Sequence, residues 1–218
     1  VVPAQPRTDV IEFAIRDLEY AAKYLPEASA EEGRVNKYSA YGMLSRMYLS
    51  MAGLTTSGQY DGTNAATDFN RGTRNEYYLD LAKKAAKKVI DEGPAKLVDD
   101  YATLWGAKTI NNNSEVLFQL QFIAGDGVGG AGQSMTRFLA WSTTVADTNA
   151  WGGATYCSWD LWEEFKEYVD ASLGKTIDDA VRRHHSVASY GEEYPELSAD
   201  ASNPYVYGVT ESAGRQGA

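Results

Sequence analysis

From Gly33 to Gly53 the chain reads GRVNKYSAYGMLSRMYLSMAG, and within it Tyr41, Leu44, Tyr48 and Met51 recur at steps of three and four residues. That spacing lays them along one face of an α-helix, with Ala40 and Met47 widening the stripe, and an apolar stripe of this width has to be covered by another element. Asn36 is placed to accept from the first free amides as an N-cap, and Gly53 is placed for the left-handed C′ position. The stretch predicts a capped helix over Asn36–Ala52. The remainder of the chain has to supply its neighbour.

The order Tyr41, Leu44, Ser45, Tyr48 reproduces the first-helix spacing of a tetratricopeptide repeat, W-x2-L-G-x2-Y, with Tyr for Trp and a small Ser for Gly. A matching second helix is expected over Asn75–Glu92, where Ala82, Ala86, Val89 and Pro94 have the right spacing. Between the two lies Leu54–Arg74, rich in Gly, Thr, Asn and Asp, which reads as a surface loop. Tyr41, Leu44, Tyr48, Ala82 and Ala86 are expected in mutual contact, with Lys83, Lys84, Lys87 and Lys88 forming a solvated face. A further helix over Asp9–Tyr24, capped by Thr8 or Asp9, fits the second-helix template through Ala14, Leu18, Ala21 and Pro26. Its first-helix partner is missing from the sequence, which is therefore expected to be a segment of a longer protein.

Beyond Pro94 the helical pattern stops. Tyr101, Leu104 and Trp105 close the helical part, Asn111–Asn113 reads as a turn, and VLFQLQF over Val116–Phe122 alternates as a strand does. Gly, Ser, Thr and aromatic residues then dominate until a last helix predicted over Ser158–Val169, with Trp162, Phe165 and Val169 on one stripe. Ser189–Ala218 shows no periodicity. The fold class expected is mainly α, a TPR-like scaffold in residues 1–106 followed by an irregular, loop-rich segment with little strand in residues 107–218.

Thirty acidic against 20 basic residues give a formal charge of −10, which argues against a phosphate-backbone ligand because nucleic-acid binders need a basic face. Cys157 is the single cysteine, so neither an internal disulfide nor a cysteine metal cluster can form, and it reads as a buried or half-buried small residue. The N-terminal VVPAQPRTDV is neither basic nor apolar enough for a secretory signal, and no apolar run is long enough to span a membrane as a helix.

Several patterns formally match catalytic or cofactor motifs. GVGGAG at Gly127–Gly132 has the G-x-G-x-x-G spacing but lacks the βαβ context of a dinucleotide site. Asp160, Glu163 and Glu164 sit near a helix N-terminus and read as dipole partners rather than as a glycosidase pair. His184 and His185 are adjacent, point about 100° apart on a helix and read as surface residues rather than metal ligands. Asp178 or Asp179 is spaced for an ion pair with Arg182. No cofactor, metal or catalytic centre is expected. The candidates for ligand contact are Trp151, Trp141 and Tyr156, with Asn149 and its neighbours Asp147, Thr148 and Ser142 as hydrogen-bonding groups. Flat rings amid polar groups suit sugars, whose C–H faces pack on the ring while their hydroxyls take donors and acceptors. Trp159 is expected to pack under the last helix.

The order DVIEFAIRDLEYAAKYLPE, GRVNKYSAYGMLSRMYLSMAG, YLDLAKKAAKKVIDEG, NNNSEVLFQLQF, WDLWEEF and DDAVRR, from Asp9 to Arg183, resembles the middle of the SusD/RagB family. The resemblance implies a surface lipoprotein of the outer membrane that binds glycans or other nutrients without catalysis and sits on a SusC-like TonB-dependent transporter. It implies that the tyrosine-bearing helix is part of the scaffold behind the ligand-binding loops and offers its outer surface to the transporter. The family's lipidated N-terminal Cys, first helical region and C-terminal third are not in this sequence, and an internal Cys157 cannot replace the processed lipid anchor. Two other functions fit the residues: a TPR-like protein–protein adaptor, which would line the concave helical face with polar and aromatic groups, and a glycoside hydrolase, which would turn substrate over.

Overall fold

The computed structural model describes residues 4–31, 33–105, 109, 111, 113–121, 157–165, 168–170, 174–177, 179–195 and 205–207. They belong to two compact units, one within Val1–Asp99 and Ala107–Gln121 and the other within Asp100–Gly106 and Phe122–Ala218. The described residues are mainly helical with little strand.

Three helices build the first unit: α1 (Arg7–Tyr24), α2 (Lys37–Leu54) and α3 (Glu76–Glu92). The middle helix packs against both others. Ile15 and Ala22 from α1, Ala40, Leu44, Tyr48, Met51 and Ala52 from α2, and Tyr78, Ala82 and Ala85 from α3 form one buried cluster. The spacing-based prediction of a TPR-like scaffold is therefore met by the packing. The tyrosines of the stripe are tolerated inside because their hydroxyls find partners. Tyr48 donates to Glu19 Oε1 at 2.6 Å, and its phenol titrates far above the ordinary range because burial and this hydrogen bond both oppose ionisation.

Asn36 caps α2 as expected, accepting from the amides of Tyr38 and Ser39, and Ser39 returns the bond to the Asn36 amide. Asn75 caps α3 in the same way through the Tyr77 amide. Two end assignments and one packing assignment are corrected. The N-cap of α1 is Pro6, with no side-chain cap; Thr8 lies inside the helix, buried, and donates to the Tyr60 hydroxyl at 3.2 Å instead. Gly53 is inside α2, which runs on to Leu54, and its missing side chain serves close packing: a Cβ there would lie 2.6 Å from the Phe69 ring. The buried alanines of α3 are Ala82 and Ala85, three apart, while Ala86 is half-buried outside the cluster because it lies one further step around the helix.

The connection between α2 and α3 is an ordered surface loop held at both ends. Thr55 bridges to Ala65, the Asn70 amide donates to Gly53 O at 2.9 Å, and the Asn75 amide donates to Ala52 O at 2.8 Å. The buried Asn75 carboxamide also donates to Thr55 Oγ1 and Gly58 O, both at 2.8 Å.

Val116–Gln121 is not a strand. Burial alternates as the sequence predicts, with Leu117, Gln119 and Gln121 half-buried and the residues between them exposed, but no strand pairs with it among the described residues. Its inner face is fixed by side chains: Ser39 Oγ donates to Leu117 O, and the Leu117 side chain packs where Gly42 leaves room. Phe122 lies outside the described residues.

In the second unit, a 3₁₀ turn at Tyr101–Leu104 is started by Asp100, which accepts from the Ala102 amide. The last predicted helix is much shorter than Ser158–Val169. Ser158 caps α4 (Trp159–Glu163), and the chain then forms β1 (Tyr168–Asp170), paired antiparallel with β2 (Lys175–Ile177), so Val169 lies opposite Thr176 rather than on a helical stripe. Next come α5 (Ala180–His184), where Asp179 and Arg182 form the expected ion pair at 3.5 Å, and the short antiparallel pair β3 (Glu193–Tyr194) and β4 (Tyr205–Val206) in a tail that shows no sequence periodicity. No described helix is long and apolar enough to cross a membrane.

Candidate functional site

The described aromatic surface of the second unit centres on α4. Ser158 Oγ accepts from the Leu161 amide at 3.2 Å and fixes the first turn, so Trp159 and Trp162, three residues apart, emerge on one side of the helix. Their rings stack with centroids 5.0 Å apart and planes 20° apart. Trp159 is 69% exposed, contrary to its expected burial under the helix. A helix of five residues has too little surface to cover an indole. Trp162 is half-buried and anchored: Nε1 donates to Ser189 Oγ at 3.2 Å, and the Arg183 guanidinium lies 5.4 Å from its ring centroid.

The groups behind Trp162 are tied together. His184 is half-buried, not a surface residue, with its ring stacked 4.5 Å from Tyr194 and its Nδ1 2.8 Å from Glu192 Oε1. His185, also half-buried, meets His184 edge to face at 4.9 Å. Buried Tyr194 accepts from the Ser189 amide at 2.7 Å and donates to Val187 O at 3.1 Å, which holds the Ser189 that anchors Trp162. Partial burial disfavours the charged form of Glu192, but hydrogen bonds from His184 and Ser189 and the nearby Arg183 outweigh it and hold its carboxyl below the ordinary range. A carboxylate with a depressed folded pKa stabilises above its unfolded value and loses that contribution as pH falls through the folded one. Thermal unfolding in the acid range below the ordinary glutamate value of 4.5 is therefore expected to show a smaller pH slope in Glu192→Gln than in the unaltered chain. Equal slopes would remove Glu192 from the account.

No family model matches the chain. A SusD-like protein from Bacteroides ovatus is 28% identical over 217 residues, which is 100% of this chain and 35% of that protein. Among solved structures, one determined with a xylogluco-oligosaccharide superposes with a TM-score of 0.73 at 28% identity, covering 94% of this chain and 36% of the other. A SusD superfamily protein from Bacteroides fragilis shares the fold at a TM-score of 0.51 and 16% identity, covering 79% of this chain and 40% of the other. The likeness is to the SusD family.

The SusD-like chain spans about a third of the length of these relatives. Its expected ligand contacts, Trp151, Trp141, Tyr156 and Asn149, lie outside the described residues, as do Asp147, Thr148, Ser142 and the GVGGAG stretch. Cys157 is half-buried, as its composition-based reading has it. Trp162 was legible only as part of an apolar stripe. The Trp-x-x-Trp spacing directly after a capping Ser is the signal that sets the two rings side by side.

In the first unit, the SusD-like scaffold carries a groove of about 420 Å³ floored by Tyr41, Leu44, Tyr48, Leu81 and Ala85. Its charged rim is satisfied by neighbours four residues away along α3, Lys84 with Asp80, Lys87 with Asp91 and Lys88 with Glu92, at 2.5 to 2.6 Å.

Proposed function

We propose that this chain is part of a non-catalytic glycan-binding protein that sits on the outer-membrane surface and delivers oligosaccharide to a SusC-like TonB-dependent transporter. The observation that carries the reading is the likeness over almost the whole chain to a structure solved with a xylogluco-oligosaccharide. The exposed indole of Trp159, braced by Trp162, is the kind of surface that reading needs, because a pyranose packs its C–H face on a flat ring. Trp151, Trp141, Tyr156 and Asn149 are the further proposed contacts, with the rings stacking and the carboxamide bonding to hydroxyls. Residues 107–218 are proposed as the ligand-binding segment and residues 1–106 as its scaffold.

Calorimetric titration with xyloglucan, starch, mannan and pectin oligosaccharides tests the reading. Binding to one class is expected, with Kd of roughly micromolar to millimolar for a shallow surface site, or about −8 to −4 kcal/mol, and the oligosaccharide recovered intact. Binding to none of them, or cleavage of the one bound, overturns it.

A further inference from the structure

In the first unit a cleft of about 230 Å³ opens between the approach to α2, the chain leaving α3 at Pro94, and the extended stretch Val116–Gln121. Bonds within the unit fix its walls. The Lys96 amide donates to Ser114 O at 2.9 Å, Ser114 Oγ donates to Lys96 O at 3.0 Å, and Ser39 Oγ ties Leu117 O to the first turn of α2. All three walls come from the middle of the sequence, between Gly33 and Gln121. Gly33 makes room for one of the polar groups: its φ is +78°, and a Cβ there would lie 2.9 Å from Gln121 Oε1, so a side chain would displace the carboxamide.

The lining of the cleft is unlike the rest of this acidic chain. Asn36, Asn113, Gln119 and Gln121 bring four carboxamides, and no carboxylate is among the lining residues. The one charged lining group, the Arg34 guanidinium, is paired with Glu31 at 2.6 Å. A neutral ligand therefore fits, since an ion would find no counter-charge to replace its hydration. A carboxamide sets a donor beside an acceptor, which is what a sugar hydroxyl takes up. Two of the four have unused capacity: Asn36 spends Oδ1 on the α2 cap while its Nδ2 makes no bond among the described residues, and Gln119 Oε1 is a buried acceptor with no partner. Phe118, 65% exposed, adds a flat apolar ring beside them. We propose that this cleft binds one neutral pyranose residue, with hydroxyls on the Asn36 and Gln119 carboxamides and a C–H face against Phe118. Its volume lies below the roughly 300–1,000 Å³ that hold drug-sized ligands, so it takes a single ring and not a chain.

The cleft shares no residue with the Trp159 surface, so the two are tested apart. Methyl glycosides of glucose, xylose, galactose and mannose are titrated against the 218-residue chain carrying Trp159→Ala, with saturation-transfer NMR as the readout. At least one is expected to bind, with a Kd of roughly millimolar for a single ring. Gln119→Leu is expected to weaken it at least about tenfold without lowering the melting temperature, because it removes an unsatisfied buried acceptor together with the ligand's partner. Phe118→Ala, an exposed substitution, is expected to weaken it as well. Transfer to none of the four glycosides, binding that either variant leaves unchanged, a lower melting temperature in Gln119→Leu, or tighter binding of N-acetylglycinamide than of any glycoside overturns the proposal. The same titrations with Trp159 intact, using oligosaccharides, score the oligosaccharide reading on its own.

Discussion

Tyr78→Ala is expected to lower the free energy of unfolding by about 3–5 kcal/mol, the range for removing a fully buried aromatic ring. Tyr78 is 2% exposed, meets Tyr77 edge to face at 5.1 Å and lies 6.1 Å from the Tyr48 ring, so its loss leaves a void where α2 and α3 join. The ring does a second job. Its hydroxyl accepts from the Tyr60 amide at 2.9 Å and so fastens the long α2–α3 loop to the core. Tyr78→Phe keeps the volume and removes only this acceptor, at a cost of about 1–3 kcal/mol. Chemical denaturation of the two variants separates packing from hydrogen bonding. A loss below about 1 kcal/mol for Tyr78→Ala would show that the ring is not a core residue.

Trp159→Ala is expected to weaken oligosaccharide binding by about 1–3 kcal/mol, a loss of roughly five- to more than a hundredfold in Kd. The melting temperature should hardly move, because the ring is 69% exposed and stacks on Trp162 at the surface. Trp162→Ala is the contrasting case. It removes the anchor to Ser189 and the surface under Arg183, so binding and stability should fall together. Titration calorimetry beside thermal unfolding distinguishes them. Unaltered binding in Trp159→Ala would take the indole out of the site and leave Trp151 and Trp141 as the rings to replace next, with the same pair of readouts.

The helical part was legible because three signals agreed in the same places: period, caps and breakers. The stripe from Tyr41 to Met51, Asn36 and Asn75 at the helix starts, and the polar stretch between α2 and α3 all point one way. What misled was residue type taken without its neighbours. Gly53 looks like a terminator, yet here glycine serves the close approach of Phe69, which no local pattern announces. Val116–Gln121 has the alternation of a strand, but a strand also needs a partner ladder, and the partner is a property of distant chain. The short pairs β1–β2 and β3–β4 escaped notice because two or three residues are too few to display a period. The stacking of Trp159 on Trp162 follows from their spacing, whereas the support from Ser189, Glu192 and Tyr194 depends on how α5 and β3 return to α4 and is not written locally.

The bond from the Asn75 amide to Ala52 O has a consequence for how such a scaffold can diversify. It brings the end of α2 and the start of α3 within one hydrogen bond of each other, so the residues between them span almost no distance. Closing a loop whose ends already meet costs only about 0.6 kcal/mol more for each doubling of its length. Length at this point is therefore close to a free variable. The tip around Gly62, where φ is +90° and nothing lies within 4 Å of the position a Cβ would take, is open to solvent. A fluorescent tag or a foreign epitope placed there would ride on the helices without entering their core, and natural variants are free to lengthen the same tip while the scaffold stays as it is.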